Sequence, residues 1–127
     1  MNQCWLLKIK EIRTLVELMA RPLRIEYPNA FYHVTNRGEE GGSVFPGPKC
    51  FQAFLDCIAE AGKRFNVDIV CYCLLRNEYN LVIKTPEGNL SRFMRQVDGL
   101  YTQHYQKLKK ESGSVFKSRY KSVLMQP

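Results

Sequence analysis

No apolar run in this 127-residue sequence approaches the roughly 20 residues that a membrane-spanning helix needs. The leading apolar pair, Leu6 and Leu7, is followed by Lys8, Lys10, Glu11 and Arg13, and no small-residue cleavage site comes after it, so a signal-peptide core is excluded. The expectation is a cytoplasmic protein with no membrane partner. The five cysteines are odd in number, which rules out a fully paired disulfide framework within one chain. Cys71 and Cys73 alternate on an expected strand, but neither a C-x-x-C pair nor a histidine cluster joins them. With Cys50 and Cys57 on an expected helix, they read as reduced thiols packed as small hydrophobes rather than as zinc ligands. Internal repeats and low-complexity tracts are absent as well.

Acidic residues are also in short supply, 12 against 19 lysines and arginines, for a net charge of +7. The imbalance is concentrated at one end. From Arg92 onward, Arg92, Arg95, Lys107, Lys109, Lys110, Lys117, Arg119 and Lys121 face only Asp98 and Glu111, so this stretch carries six of the seven net charges. Such asymmetry is the footprint of a polyanion partner, with an anionic membrane or a merely solvated face as the alternatives.

The length and the 45% hydrophobic content match one domain with a modest core. Trp5, Ile9, Ile12, Leu15 and Val16 recur at helical spacing, so residues 1–18 read as an amphipathic extension. Met19 is a second candidate start, and residues 19–127 form the domain proper. Ala30 to Thr35 is aromatic and β-branched, which predicts a strand, and Glu39 to Pro48 is a loop by composition. Lys49 to Phe65 follows the helical period through Phe51, Phe54, Leu55, Ile58 and Ala61. Val67 to Leu75 and Tyr79 to Lys84 predict adjacent antiparallel strands. Asn89 is placed to cap a long helix with the stripe Phe93, Met94, Val97, Leu100, Tyr101, Tyr105 and Leu108, ended by Gly113, and a last strand covers Tyr120 to Met125. With right-handed crossovers, this order predicts an α+β, ferredoxin-like fold. Its four-stranded antiparallel sheet carries two helices on one face and leaves the other open for a ligand.

Several phrases, in order, resemble the REP-associated tyrosine transposases, a branch of the HUH single-strand nucleases. They are Arg21-Pro22-Leu23-Arg24-Ile25-Glu26-Tyr27-Pro28, Phe31-Tyr32-His33-Val34-Thr35-Asn36-Arg37-Gly38, Tyr72-Cys73-Leu74, Thr85-Pro86-Glu87-Gly88-Asn89-Leu90-Ser91-Arg92, Tyr101-Thr102-Gln103 and Val115-Phe116-Lys117-Ser118-Arg119-Tyr120-Lys121. The resemblance implies the same fold and an activity on single-stranded hairpin DNA of a mobile element. In that chemistry, two histidines flanking a hydrophobic residue hold a divalent metal, and a tyrosine attacks the phosphate. Residues i and i+2 of a strand share one face, so two imidazoles there can grip one ion.

The matching segment here is Arg76-Asn77-Glu78-Tyr79-Asn80-Leu81-Val82, with Glu78 and Asn80 at both histidine positions. Carboxylate and amide oxygens suit hard ions, so Glu78 and Asn80 offer at most a weak magnesium or manganese site, and no cofactor is expected. The family's nucleophile lies in a phrase like R-Y-I-H-x-N-P beyond the last strand, and no such phrase occurs before Pro127, which reads as loss of that helix. Tyr101, with His104 three residues on, is a weak substitute because it falls in the apolar stripe. His33 belongs to the first strand and reads as structural.

The resemblance places Arg21 and Arg24 in the arm that reads DNA beside the hairpin, where arginine can pair with guanine. Arg37, Arg92, Arg95, Lys117, Arg119 and Lys121 are the candidates for phosphate contacts, and Tyr32, Tyr72 and Tyr79 for base stacking if they lie on the open face. The expectation is a degenerate, inactive DNA-binding relative. A magnesium-dependent nuclease using Glu78 and Asn80 is the alternative, and a nonfunctional or oligomerising module, for instance a homodimer, is the third reading. An RNA-binding module ranks last, since no aromatic RNP phrase is present.

Overall fold

The computed structural model describes residues 26–39, 42–110 and 114–125. The expected 1–18 extension, the alternative start at Met19, Arg21, Arg24 and Gly113 lie outside the described residues.

Six elements follow one another: β1 (Ala30–Arg37), α1 (Pro48–Phe65), β2 (Asp68–Leu75), β3 (Glu78–Thr85), α2 (Leu90–Lys109) and β4 (Lys121–Met125). The sheet order is β2-β3-β1-β4 with every neighbouring pair antiparallel, which is the ferredoxin-like arrangement. Strand alternation sorts the side chains into two sets. Ala30, Tyr32 and Val34 of β1 stand opposite Thr85, Ile83 and Leu81 of β3. Except for Thr85, these residues join Leu74 and Tyr79 in one core with Phe54, Ile58 and Ala61 of α1 and Leu90, Phe93, Met94, Val97 and Tyr101 of α2. Both helices therefore lie on one face. Aromatic rings knit this side together: Phe54 packs on Tyr79 at 4.8 Å and on Tyr101 at 5.5 Å, and Phe45 meets Phe51 at 5.0 Å.

The helix ends follow local chemistry. Pro48 at the first turn of α1 has no N–H to leave unsatisfied, and Lys63 and Arg64 complement the dipole at its last turn. Asn66 then closes the helix in the left-handed conformation, φ 54°. α2 ends at Lys109 with Lys110 left-handed (φ 54°), short of the glycine expected to stop it. Its last residues, Leu108, Lys109 and Lys110, are all exposed, so no packing holds the helix further. Asn89 does not cap α2 with its side chain. Its Nδ2 instead donates to the Phe65 carbonyl at 2.8 Å, tying the end of α1 to the start of α2. Gly88 sits at φ 64° with the Tyr27 and Pro28 backbone about 3 Å from where a Cβ would stand, so the β3–α2 turn requires glycine there.

One expectation fails at the sheet. The face away from the helices is not open at its centre: His33 is 0%, Asn80 1%, Cys73 2%, Val82 3% and Thr35 7% exposed. These positions lie on the two central strands or next to them, and His33 and Asn80 satisfy part of their polarity on each other, as described below.

Candidate nucleic-acid interface

Glu78, Tyr79 and Asn80 open β3, directly after the Arg76-Asn77 turn. Alternation sends Tyr79 into the helix-side core and turns Glu78 and Asn80 to the other face. In register, Glu78 stands opposite Arg37 and Leu75, and Asn80 opposite Thr35 and Cys73. The His33 ring lies diagonally next to Asn80, with Nε2 at 3.1 Å from Asn80 Oδ1. No sequence pattern pointed to this meeting, because His33 lies 47 residues away and only the β1–β3 register brings the two together.

This donor set does not fit a divalent metal. It contains one carboxylate, and the amide oxygen that would ligate an ion is already engaged with the imidazole. Among the described residues, no group of three or more histidine, cysteine or acidic side chains converges. Tyr101 is on the wrong side for phosphate attack. It is fully buried in the helix-side core, and its hydroxyl donates to the Val44 carbonyl. Burial pushes its phenol far above the ordinary range, so the phenolate that attacks phosphorus is disfavoured. Tyr101 and the Glu78–Asn80 pair are thus on opposite faces of the sheet.

Tyr32 and Tyr79 are buried in the core, which removes both as base-stacking platforms. Tyr72 is 42% exposed but stands opposite Leu81, so it flanks the helix side of edge strand β2 rather than the other face. None of the three lies on the face where base stacking was expected. Cys50, Cys57 and Cys73 are buried thiols and Cys71 is half-buried; burial pushes Cys57 up to about 11.

Behind Glu78 lies a network the sequence did not disclose. Tyr79 Oη donates to Asp98 Oδ1 of α2 at 2.8 Å, and Asn36 of β1 packs beside them. Desolvation pushes the Asp98 carboxyl up to about 7, although the hydrogen bond from Tyr79 and the nearby Asn36 amide pull the other way.

The basic residues divide into two groups. Arg37 ends β1, and its carbonyl accepts from Lys117 N at 2.9 Å; Gly38 bridges to Phe116. A Cβ on Gly38 would meet Val44 at 2.8 Å, so glycine permits this close crossing. Lys121 faces Thr35, two residues before Arg37, and Arg119 lies between Lys117 and Lys121. Arg37, Lys117, Arg119 and Lys121 are all exposed, at the end of the sheet that also carries Glu78 and the exposed Arg76. Arg92 is elsewhere: its guanidinium lies 5.9 Å from the Phe65 ring, near the end of the sheet where β1 begins. Eight residues of β1 separate the two ends by roughly 23 Å at about 3.3 Å per residue. Arg95 is exposed on α2, one turn from Ser91. The six candidates therefore do not form a single patch.

The fold defines the class: α+β, ferredoxin-like, with a four-stranded antiparallel sheet. The chain shares it with solved transposases. It is similar to a REP-associated tyrosine transposase bound to a REP hairpin, with a TM-score of 0.69 and 12% identity over 86% of this chain and 64% of that one. It is also similar to a candidate transposase from Deinococcus radiodurans R1, with a TM-score of 0.63 and 12% identity over 85% of this chain and 87% of that one. The chain thus spans under two thirds of the hairpin-bound transposase. No protein-family model and no curated protein matches it.

Proposed function

We propose that this chain is a degenerate relative of the REP-associated tyrosine transposases, one that binds single-stranded DNA next to a hairpin without cleaving it. The observation that carries this reading is the cluster of Arg37, Lys117, Arg119 and Lys121 at one end of the sheet, beside a motif segment whose two metal positions hold Glu78 and Asn80. Exposed cations in a row neutralise phosphates and position a strand without reading its sequence. Arg76, in the adjoining turn, extends the row. Arg21 and Arg24 add base readout, and Arg92 and Arg95 add phosphate contacts on a second surface. A DNA partner goes with a cytoplasmic location. Among the described residues no helix is long and apolar enough to cross a membrane.

The test is fluorescence anisotropy with a labelled DNA hairpin carrying a single-stranded flank, at a series of salt concentrations. Binding is expected to weaken steeply with salt. The Arg37→Ala/Lys117→Ala/Lys121→Ala variant should lower the slope of log K against log salt by about 0.7 for each phosphate no longer neutralised. Binding that is indifferent to salt and to these changes would refute the interface. Incubation with magnesium or manganese should yield no cleaved strand. A protein–DNA adduct that survives a denaturing gel would refute the inactivity and favour the metal-dependent alternative.

A further inference from the structure

Building on the DNA-binding function proposed above, we propose that the projecting end of α2, from His104 to Lys110, lies in the major groove of the hairpin stem while the rim holds the single-stranded flank. The helix outruns the fold it packs on. It starts at the end of the sheet where β1 begins, with Asn89 bonded to the Phe65 carbonyl. It then runs back toward the rim, where Asp98 meets Tyr79 and Tyr101 meets Val44 and Phe116. Tyr101 is its last buried residue. Eight more helical residues follow to Lys109, about 12 Å at about 1.5 Å per residue. Packing fades along them: Tyr105 is half-buried against Tyr101, Leu108 is 47% exposed, and His104, Lys107, Lys109 and Lys110 are exposed.

Charge and shape select the partner. α2 has one acid, Asp98, which is turned to Tyr79, and its other charged side chains are all cations. Lys49 in the first turn of α1 is exposed at the same end. Lys117 follows Phe116, whose ring lies 6.2 Å from that of Tyr101, so the arm leaves the fold beside the basic rim. Glu39 and Glu78 lie at this end as well, and Glu111 follows Lys110 in the chain, but the cations outnumber them. The helix dipole also draws cations to a last turn, as Lys63 and Arg64 show in α1. That helix ends against Asn89 inside the fold, whereas α2 ends in solvent. An α-helix with its side chains is about 10–12 Å across, and the major groove of B-form DNA is about 12 Å wide. Lys107 and Lys109 stand roughly 200° apart around the helix, so they reach opposite walls of such a groove. Single strands are held by troughs that track the backbone, which a projecting rod does not provide. Leu108 is the sole apolar side chain among residues 107–110, too little to insert in a lipid surface.

Anisotropy with three labelled DNAs tests this: a hairpin with a single-stranded flank, the flank alone, and the blunt hairpin. The native chain should bind the flanked hairpin more tightly than the flank alone. The Lys107→Ala/Lys109→Ala/Lys110→Ala variant should weaken binding to both hairpins about tenfold or more at low salt, and lower the salt slope by up to about 2.7, at about 0.9 for each duplex phosphate. Its affinity for the flank alone should be unchanged, and its circular dichroism should match the native chain. The Lys107→Arg/Lys109→Arg/Lys110→Arg variant keeps the charge and should retain hairpin binding. Should the alanine variant not fold, Lys109→Gln alone decides, with a slope lower by about 0.9 on the hairpins only. Hairpin binding that survives the loss of charge, or that falls equally with flank binding, would overturn the proposal. So would binding to phosphatidylserine vesicles that the alanine variant abolishes while hairpin binding stays intact, which would assign the arm to a lipid surface. A native chain that binds the flank but no more tightly with the stem attached would overturn the groove and leave the DNA-binding function standing. A chain that binds none of the three DNAs would overturn both.

Discussion

Replacing Asp98 with asparagine should stabilise the protein near neutral pH and flatten its pH dependence. Asp98 is a partly buried carboxylate on α2, held by the Tyr79 hydroxyl at 2.8 Å. Two effects oppose each other there. The hydrogen bond from Tyr79 and the nearby Asn36 amide favour the charge, and desolvation disfavours it; desolvation wins, since the group is pushed from 3.8 up to about 7. The folded chain therefore keeps a proton that the unfolded chain has released across that interval. Stability from this group is fully present below the unfolded value, falls as pH rises toward 7, and levels off above it. A rise from 3.8 to about 7 corresponds to at most roughly 4 kcal/mol, of which about 3 kcal/mol falls between pH 5 and pH 8. Asparagine keeps an oxygen to accept from Tyr79 and carries no charge to desolvate. Urea denaturation followed by circular dichroism, at steps from about pH 5 to pH 8, measures the difference between the two proteins. Other titrating groups cancel in that difference. A gap that does not change with pH would refute the reasoning.

Three further outcomes follow from the same geometry. Tyr101→Phe removes the hydroxyl that donates to the Val44 carbonyl and should cost about 1–3 kcal/mol in denaturant titration, with DNA affinity unchanged. A selective loss of DNA processing at full stability would instead restore Tyr101 as a nucleophile. Glu78→Gln removes the carboxylate opposite Arg37 and should raise affinity for single-stranded DNA by up to about fivefold at low salt, since one exposed charge pair is worth roughly 1 kcal/mol or less. Weakened binding would show that Glu78 contributes to the site. Gly88→Ala places a Cβ about 3 Å from the Tyr27 and Pro28 backbone at φ 64°, and should cost about 1–2 kcal/mol, read as a lowered denaturation midpoint.

The sequence by itself determined the order and type of the elements. Apolar residues at period 3.6 between Lys49 and Phe65 and again after Leu90, with β-branched and aromatic runs between turns, leave few topologies that bury both kinds of stripe. It also determined the substitution at the motif, because Glu78 and Asn80 are read directly from the residue types. Tertiary structure decided what those residues meet. The β1–β3 register brought His33 to Asn80 across 47 positions, and strand parity put Tyr32 and Tyr79 in the core although their composition suited base stacking. Helix packing set Asp98 behind Tyr79, where desolvation pushes its carboxyl up, and the two ends of the sheet parted Arg92 from Arg37. Periodicity along a chain reports which way a side chain points relative to its neighbours. Which partner it faces, and whether water reaches it, depends on contacts distant in sequence that no local pattern encodes.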